Sequence, residues 1–426
     1  MIEKIKNLTE LKLFLLFLLI IFISRTLFLV FSLSNFPWFY EWEAMKYLTE
    51  FKNNNLSFSS FIMLYEIKNQ FQLLTKILYL SLFTINDYVW SPKIFTIIAQ
   101  LIPALYLAII IKNLFKNNLN SNFLLIILII FSAFPASLAN FYHFSETHFY
   151  FHILISILSF ETYSKIINKK IKFLLILLLF ILAALNMEFV ALTLYLTFTM
   201  FFLIKFLDGY NKNYIYLFFL SLIFSILYYK SLYFFEIPSI NDASQLVDKP
   251  IGRSIYLIFK GLFHQNSILF GIFMIVGIIN YKLLSNYILE HKNKDFIYFL
   301  AIFFLIFIGS VAISRIQIYD RYKDLIQVGG LISLFIYSRL IINQKITKYI
   351  LTTITLLIVL YNSIFFLDKF YERRKETIIY DYVLGKSISS FILNNIEIKK
   401  SDLDKNSKKY TNQIMMSVKN RIINFQ

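Results

Sequence analysis

Long apolar runs broken by short polar stretches repeat along the whole chain. Runs near the ~20 residues that cross a bilayer predict eleven helical spans, at about 11–33, 90–111, 122–140, 145–163, 172–186, 187–207, 213–235, 267–285, 296–314, 325–342 and 348–367. The run 171–207 is too long for one helix. Polar groups in "LNMEF" (Leu185 to Phe189) interrupt it and predict a tight helical hairpin. The stretch 71–86 is short and holds Lys76, so it is expected to lie along or dip into the interface. The pattern predicts an all-α polytopic membrane protein with a long first external loop, 34–89, containing interfacial helices. The expected organisation is one membrane domain, 1–368, and a basic tail, 369–426. The first apolar stretch, Leu13 to Leu33, is longer than a signal-peptide core and has no small-residue cleavage site after it, which predicts a retained span.

Composition agrees. Hydrophobic residues make up 58% of the 426 and charged residues 16%, with a mean hydropathy of +0.65. A soluble protein of this size could not cover that much apolar surface. There is no cysteine, which excludes disulfides, cysteine nucleophiles and thiolate metal sites. The formal charge of +17 sits mainly in loops and tail, so no nucleic-acid partner is expected.

Loop charge sets orientation. Lys4, Lys6 and Lys12, Lys112 and Lys116, Lys165, Lys169, Lys170 and Lys172, Lys205 and Lys212, Lys282, Lys292 and Lys294, and Arg339, Lys345 and Lys348 all fall on one side of an eleven-span chain. That side is the expected cytoplasmic face. The tail from Lys369 ("KFYERRKE") then falls outside, where it either binds external lipid phosphates or marks a miscounted span.

The opposite face collects acids, histidines and cations from separate loops. "FPWFYEWEAMKYL" (Phe36 to Leu48) carries Glu41 and Glu43 among Trp38, Tyr40 and Trp42. In a helix, Tyr47 shares the face of Glu43. Aromatic surroundings would desolvate such a carboxylate, raise its pKa and make it a better base. The alternative is an aromatic belt with its acids pointing to water. In "YHFSETHFYFH" (Tyr142 to His152), His143, Glu146 and Tyr150 share one helical face behind Ser145, a candidate N-cap. The helix dipole accounts for Glu146 alone. A metal site of histidines and Glu146 is the other reading, although no acid completes the face of His148 and His152. "SRIQIYDRYKD" (Ser314 to Asp324) offers Arg315, Arg321 and Lys323 as a phosphate clamp, or as a solvated loop with weak ion pairs. Glu188 stands in the hairpin break, and Arg25 and Lys230 lie near the outer ends of their spans, within reach of the interface.

Taken in order, these segments resemble the GT-C glycosyltransferases, integral-membrane enzymes that use lipid-phosphate-linked sugars. "EWEAMKYL" (Glu41 to Leu48) is similar to their acidic first-loop motif, with Trp42 where many members carry an acid. "FPASLANFYHFSETHFYFHILISIL" (Phe134 to Leu158) is similar to their short external turn and following helix. "YDRYKDLIQVGGLISLF" (Tyr319 to Phe335) is similar to a late segment in which prolines usually stand where this chain has Val328, Gly329 and Gly330. "ALNMEFVAL" also resembles a family pattern, with Asn186 where an Arg or Lys is common. The resemblance implies a multi-pass protein of the bacterial plasma membrane. Its donor would be a polyprenyl-phosphate sugar and its acceptor a lipid, glycan or protein hydroxyl. Glu43 would be the general base and Glu41 its helper, binding acceptor or an optional divalent ion (Mg²⁺ or Mn²⁺). Arg321, with Lys323 and Arg315, would hold the donor phosphate, and His143, Glu146, Glu188 and Tyr47 would contact substrate. No other cofactor is implied. Two rival readings are an O-antigen-type polymerase and a lipid or solute transporter; no internal repeat favours the transporter.

Overall fold

The computed structural model describes residues 10–32, 91–115, 122–137, 148–185, 189–209, 212–234, 251–264, 293–314, 322–340 and 352–374, with isolated residues between them. Among these, twelve helices are described: α1 (Glu10–Ser32), α2 (Ser91–Ala99), α3 (Leu101–Phe115), α4 (Asn122–Ala133), α5 (His148–Lys165), α6 (Lys169–Ala184), α7 (Phe189–Gly209), α8 (Lys212–Phe234), α9 (Ile251–Leu262), α10 (Lys294–Ser314), α11 (Lys323–Leu340) and α12 (Thr352–Arg374). No strand occurs among the described residues. Five helical stretches are long and apolar enough to cross a membrane: α1, α2 with α3 (Lys93–Phe115), α7, α10 and α12. Phe123–Ala133 of α4 and Tyr214–Lys230 of α8 are shorter apolar stretches.

Apart from α9, the described helices fall on the expected apolar runs; of the run 267–285 only Ile268, Gly271 and Ile272 are described. The hairpin breaks where its polar residues predicted, α6 ending at Ala184 and α7 starting at Phe189. Three expectations differ. The 122–140 run is helical only to Ala133, and 134–137 are not helical. The expected loop 236–266 contains α9, an amphipathic helix whose Leu257 and Gly261 pack inward while Ile251, Ile255, Tyr256 and Phe259 stay exposed. The last helix runs through the expected boundary at 368–369 to Arg374, with Lys369 and Glu372 paired across one turn at 2.5 Å.

Helix neighbours close a ring. α3 packs on α5, α5 on α7, α7 on α10, α10 on α11, and α11 back on α3. The others pack outside it: α1 against α3 and α4, α6 against α5 and α7, α8 against α7, α9 against α10. Members α3 and α11 are buried on nearly every side, as an all-round apolar helix must be. Outer helices are inside-out. In α1 the buried positions are Leu13, Phe17, Ile21, Arg25, Leu29 and Ser32, one stripe at four-residue spacing, while Leu15, Leu19, Ile23 and Leu27 face outward. In α12 the buried stripe is Thr355, Val359, Ser363 and Phe366. Lipid is as apolar as leucine, so the interior is chosen by shape and by polar groups that need partners. Buried hydroxyls find them in the preceding turn: Ser159 donates to Ile155 O (2.7 Å), Ser333 to Gly329 O (2.8 Å) and Ser363 to Val359 O (2.9 Å). Hydroxyls also bridge helices, Thr199 Oγ1 to Ser221 Oγ (3.1 Å) and Tyr195 OH to Phe180 O (2.7 Å).

Rings fill the remaining interior. Phe160 of α5 meets Phe299 of α10 at 4.7 Å between centroids and Phe201 of α7 at 5.6 Å. Close packing accounts for Gly329. A Cβ there would collide with the Phe304 ring of α10. Gly329→Ala is therefore expected to overpack the α10–α11 contact and destabilise the protein by about 1–3 kcal/mol, as read by thermal unfolding in detergent; an unchanged midpoint would show that the Phe304 ring yields freely.

The two ends of the ring differ in charge. At one end Glu161 pairs with Lys112 (3.7 Å) and Lys165, and Asp295 with Lys205 (2.5 Å). Asn168 caps α6 through its side-chain oxygen, and the first turn that follows carries Lys169, Lys170 and Lys172. Cations there oppose the helix dipole, so helix stability does not account for them. These are lysines assigned to the cytoplasmic face. The chain has no native cysteine, so single substitutions report topology cleanly. A Glu41→Cys variant is expected to react with an impermeant thiol reagent on intact cells, and a Lys169→Cys variant is not; label at position 169 alone would reverse the topology.

Candidate functional site

At the other end of the ring lies a buried polar cluster, built from four helices. Arg25 stands on the inward stripe of α1 at 0% exposure. Its Nη2 donates to Gln327 Oε1 of α11 at 3.4 Å. The Gln327 amide orientation follows from its other partners. Its Nε2 donates to Phe131 O (2.9 Å) and Phe134 O (3.2 Å), carbonyls left open at the end of α4, so Oε1 must accept. Asp324, also at 0%, sits in the first turn of α11, where the dipole favours an anion. Its Oδ1 accepts from the Ser137 backbone N–H at 3.4 Å. Tyr106 of α3 and Tyr150 of α5 are fully buried, and the charges of Arg25 and Asp324 both act on their hydroxyls. Tyr322, just before α11, is wedged between the rings of Phe149 (5.5 Å) and Phe307 (5.9 Å).

Arg25 is not satisfied by these neighbours. Among the described residues its Nε and Nη1 and the hydroxyls of Tyr106 and Tyr150 make no well-formed hydrogen bond, although the Arg25 side chain lies close enough to the Tyr150 hydroxyl to interact with it. A buried guanidinium normally recruits a partner for each edge, because an unmatched buried charge is costly. Nε and Nη1 lie on different edges of the guanidinium, and each edge is shared with Nη2, which already donates to Gln327. The cluster therefore holds a positive charge with two spare guanidinium donors, Nε and Nη1, beside two phenolic hydroxyls. Aromatic packing encloses this end: Phe28 of α1 meets Phe134 (5.4 Å), Phe366 (5.2 Å) and Phe370 (5.5 Å).

Of the residues singled out in the sequence, Lys323 is described. It opens α11 beside Asp324 and is half-buried. Glu41, Glu43, Tyr47, His143, Ser145, Glu146, Glu188, Arg315 and Arg321 lie outside the described residues. His152 is buried on α5. Among the described residues no three His, Asp or Glu side chains are grouped to hold a metal.

Arg25 corrects the sequence reading. It does not reach to the interface; it points into the bundle, because its position belongs to the stripe 13–17–21–25–29 and Gln327 meets it there. Lys230, by contrast, is exposed. Gln327, Tyr106 and Tyr150 were not recognised as a group, and Asp324 was read with its loop. The signal was present as one arginine deep in an apolar helix and as Asp324 and Gln327 three apart on another. An ionisable group at that depth marks function by default.

Apolar helices, an inside-out stripe arrangement and a charged interior define this chain as a polytopic integral membrane protein. No family model, no curated protein and no solved structure matches it.

Proposed function

We propose that the protein is an inverting membrane glycosyltransferase of GT-C type. In this reading it has eleven spans, sits in a bacterial plasma membrane and moves a sugar from a polyprenyl-phosphate donor to an acceptor hydroxyl at the external face. The acceptor oxygen attacks the anomeric carbon and forms the new C–O bond. The bond from that carbon to the phosphate oxygen breaks, and the electron pair leaves with the lipid phosphate. Glu43 takes the hydroxyl proton, and Glu41 orients the acceptor or a divalent ion. Arg321, Lys323 and Arg315 offset charge on the departing phosphate; His143, Glu146, Glu188 and Tyr47 contact the sugar or acceptor. Arg25 joins the phosphate-binding group.

One observation carries most weight. The starts of α5 and α11, which belong to the family-like segments, meet around a buried guanidinium with two spare donors, Nε and Nη1. A lipid-borne phosphate is an anion that such a buried cation suits. The same buried Arg25 and Asp324 favour a second reading, a lipid or solute transporter, since charges inside the bundle mark transport paths. Incubating purified protein with a panel of polyprenyl-phosphate sugars separates the two. Release of free lipid phosphate with sugar transfer is expected; no release with any donor, but movement of the intact lipid-linked sugar across a liposome bilayer, would replace the first reading by the second.

A further inference from the structure

We propose that the lysine-rich end of the bundle holds a second anion site, a pocket for a phosphate ester on the face opposite Arg25. The inference stands apart from the glycosyltransferase reading. A cavity of about 420 Å³ opens there between α3, α5, α6 and α10, within the ~300–1,000 Å³ range of small-molecule pockets. Its walls include Asn113, Glu161, Lys165, Lys172, Lys294 and Asp295.

Both wall carboxylates are already engaged. Glu161 accepts from Asn113 Nδ2 and pairs with Lys112 and Lys165; Asp295 pairs with Lys205. Asn293 Nδ2 donates to Asn113 O at 2.9 Å and ties α3 to the approach of α10. The acids therefore neither attract a cation strongly nor repel an anion strongly. Glu10, at the start of α1, adds its charge near Lys112 and Lys165. Among the described residues, five lysines, 112, 165, 172, 205 and 294, stand with these three carboxylates, and three of the five, 165, 172 and 294, line the pocket itself. Lys172 is held over the Tyr163 ring at 5.2 Å, and Lys294 is exposed at the rim with no ion pair among the described residues. Phe160, Tyr163 and Phe296 give the pocket an aromatic side. Orientation alone requires lysines on this face; it does not require them around a concave space with its acids neutralised.

The ligand chemistry is a phosphate ester, from an anionic lipid headgroup of the inner leaflet or from a soluble compound. The chain has no cysteine, so Ser164→Cys places a single thiol on the pocket wall, and its maleimide labelling rate reports occupancy. In maltoside micelles, added phosphatidylglycerol or inorganic pyrophosphate is expected to slow labelling several-fold. Protection by the lipid alone assigns a headgroup site, and protection by pyrophosphate alone assigns a soluble ligand. In a Lys172→Gln, Lys294→Gln background the protection is expected to disappear, whereas Ile251→Cys, on the exposed face of α9, should label at the same rate throughout. The proposal fails if neither probe protects, if protection survives loss of both lysines, or if labelling of the Ile251→Cys control slows equally.

Discussion

Glu43→Gln is expected, under the proposed glycosyltransferase reading, to lower sugar transfer by about 10²–10⁴-fold, the usual contribution of a positioned general base, while the protein stays folded and inserted. The amide keeps the size and hydrogen-bonding reach of the carboxylate and loses its ability to accept a proton. Donor binding should change little, so the loss should fall on kcat. Thermal unfolding and donor KM measured beside kcat make the result specific. Parental kcat in the variant would remove Glu43 from the mechanism and leave Glu41 as the acid to test.

Arg25→Met should separate catalysis from stability. If the guanidinium serves the donor phosphate, removing it forfeits two charge-assisted hydrogen bonds of about 1.5–3 kcal/mol each, or about 10²–10⁴-fold in donor use. Stability should then stay within about 1 kcal/mol of the parent, because one long bond to Gln327 is lost and two nitrogens without a well-formed hydrogen bond are no longer buried. A structural role predicts the reverse. If Arg25 is held mainly as the counter-charge of Asp324, its removal strands a buried carboxylate and costs about 3–5 kcal/mol. Arg25→Lys retains charge without the planar guanidinium and should restore only part of the activity. Unfolding and donor kinetics on the three proteins decide between the roles.

Much of this architecture was legible in the chain. Apolar runs located the described helices except α9, polar residues between the two halves of the run 171–207 located the hairpin break, and clustered lysines forecast one charged end. These are local properties, read over one helix or one loop. Orientation of each helix about its own axis was not legible. In α1 both faces are apolar, so no periodicity says that position 25 turns inward, and its place near the outer end of the span suggests the interface instead. The same holds for α12, whose buried Thr355 and Ser363 would be misread as an outer face by rules learned on soluble proteins.

A bilayer rewards length and hydrophobicity along the chain, and so the positions of the helices follow from residue order, as does the side on which lysines gather. It does not distinguish one greasy helix face from another. That choice belongs to packing: Gly329 admitting the Phe304 ring, Gln327 closing the open end of α4 and meeting Arg25, and five helices completing a ring around residues far apart in sequence. The buried cluster exists only because those contacts form together, and no single segment encodes it.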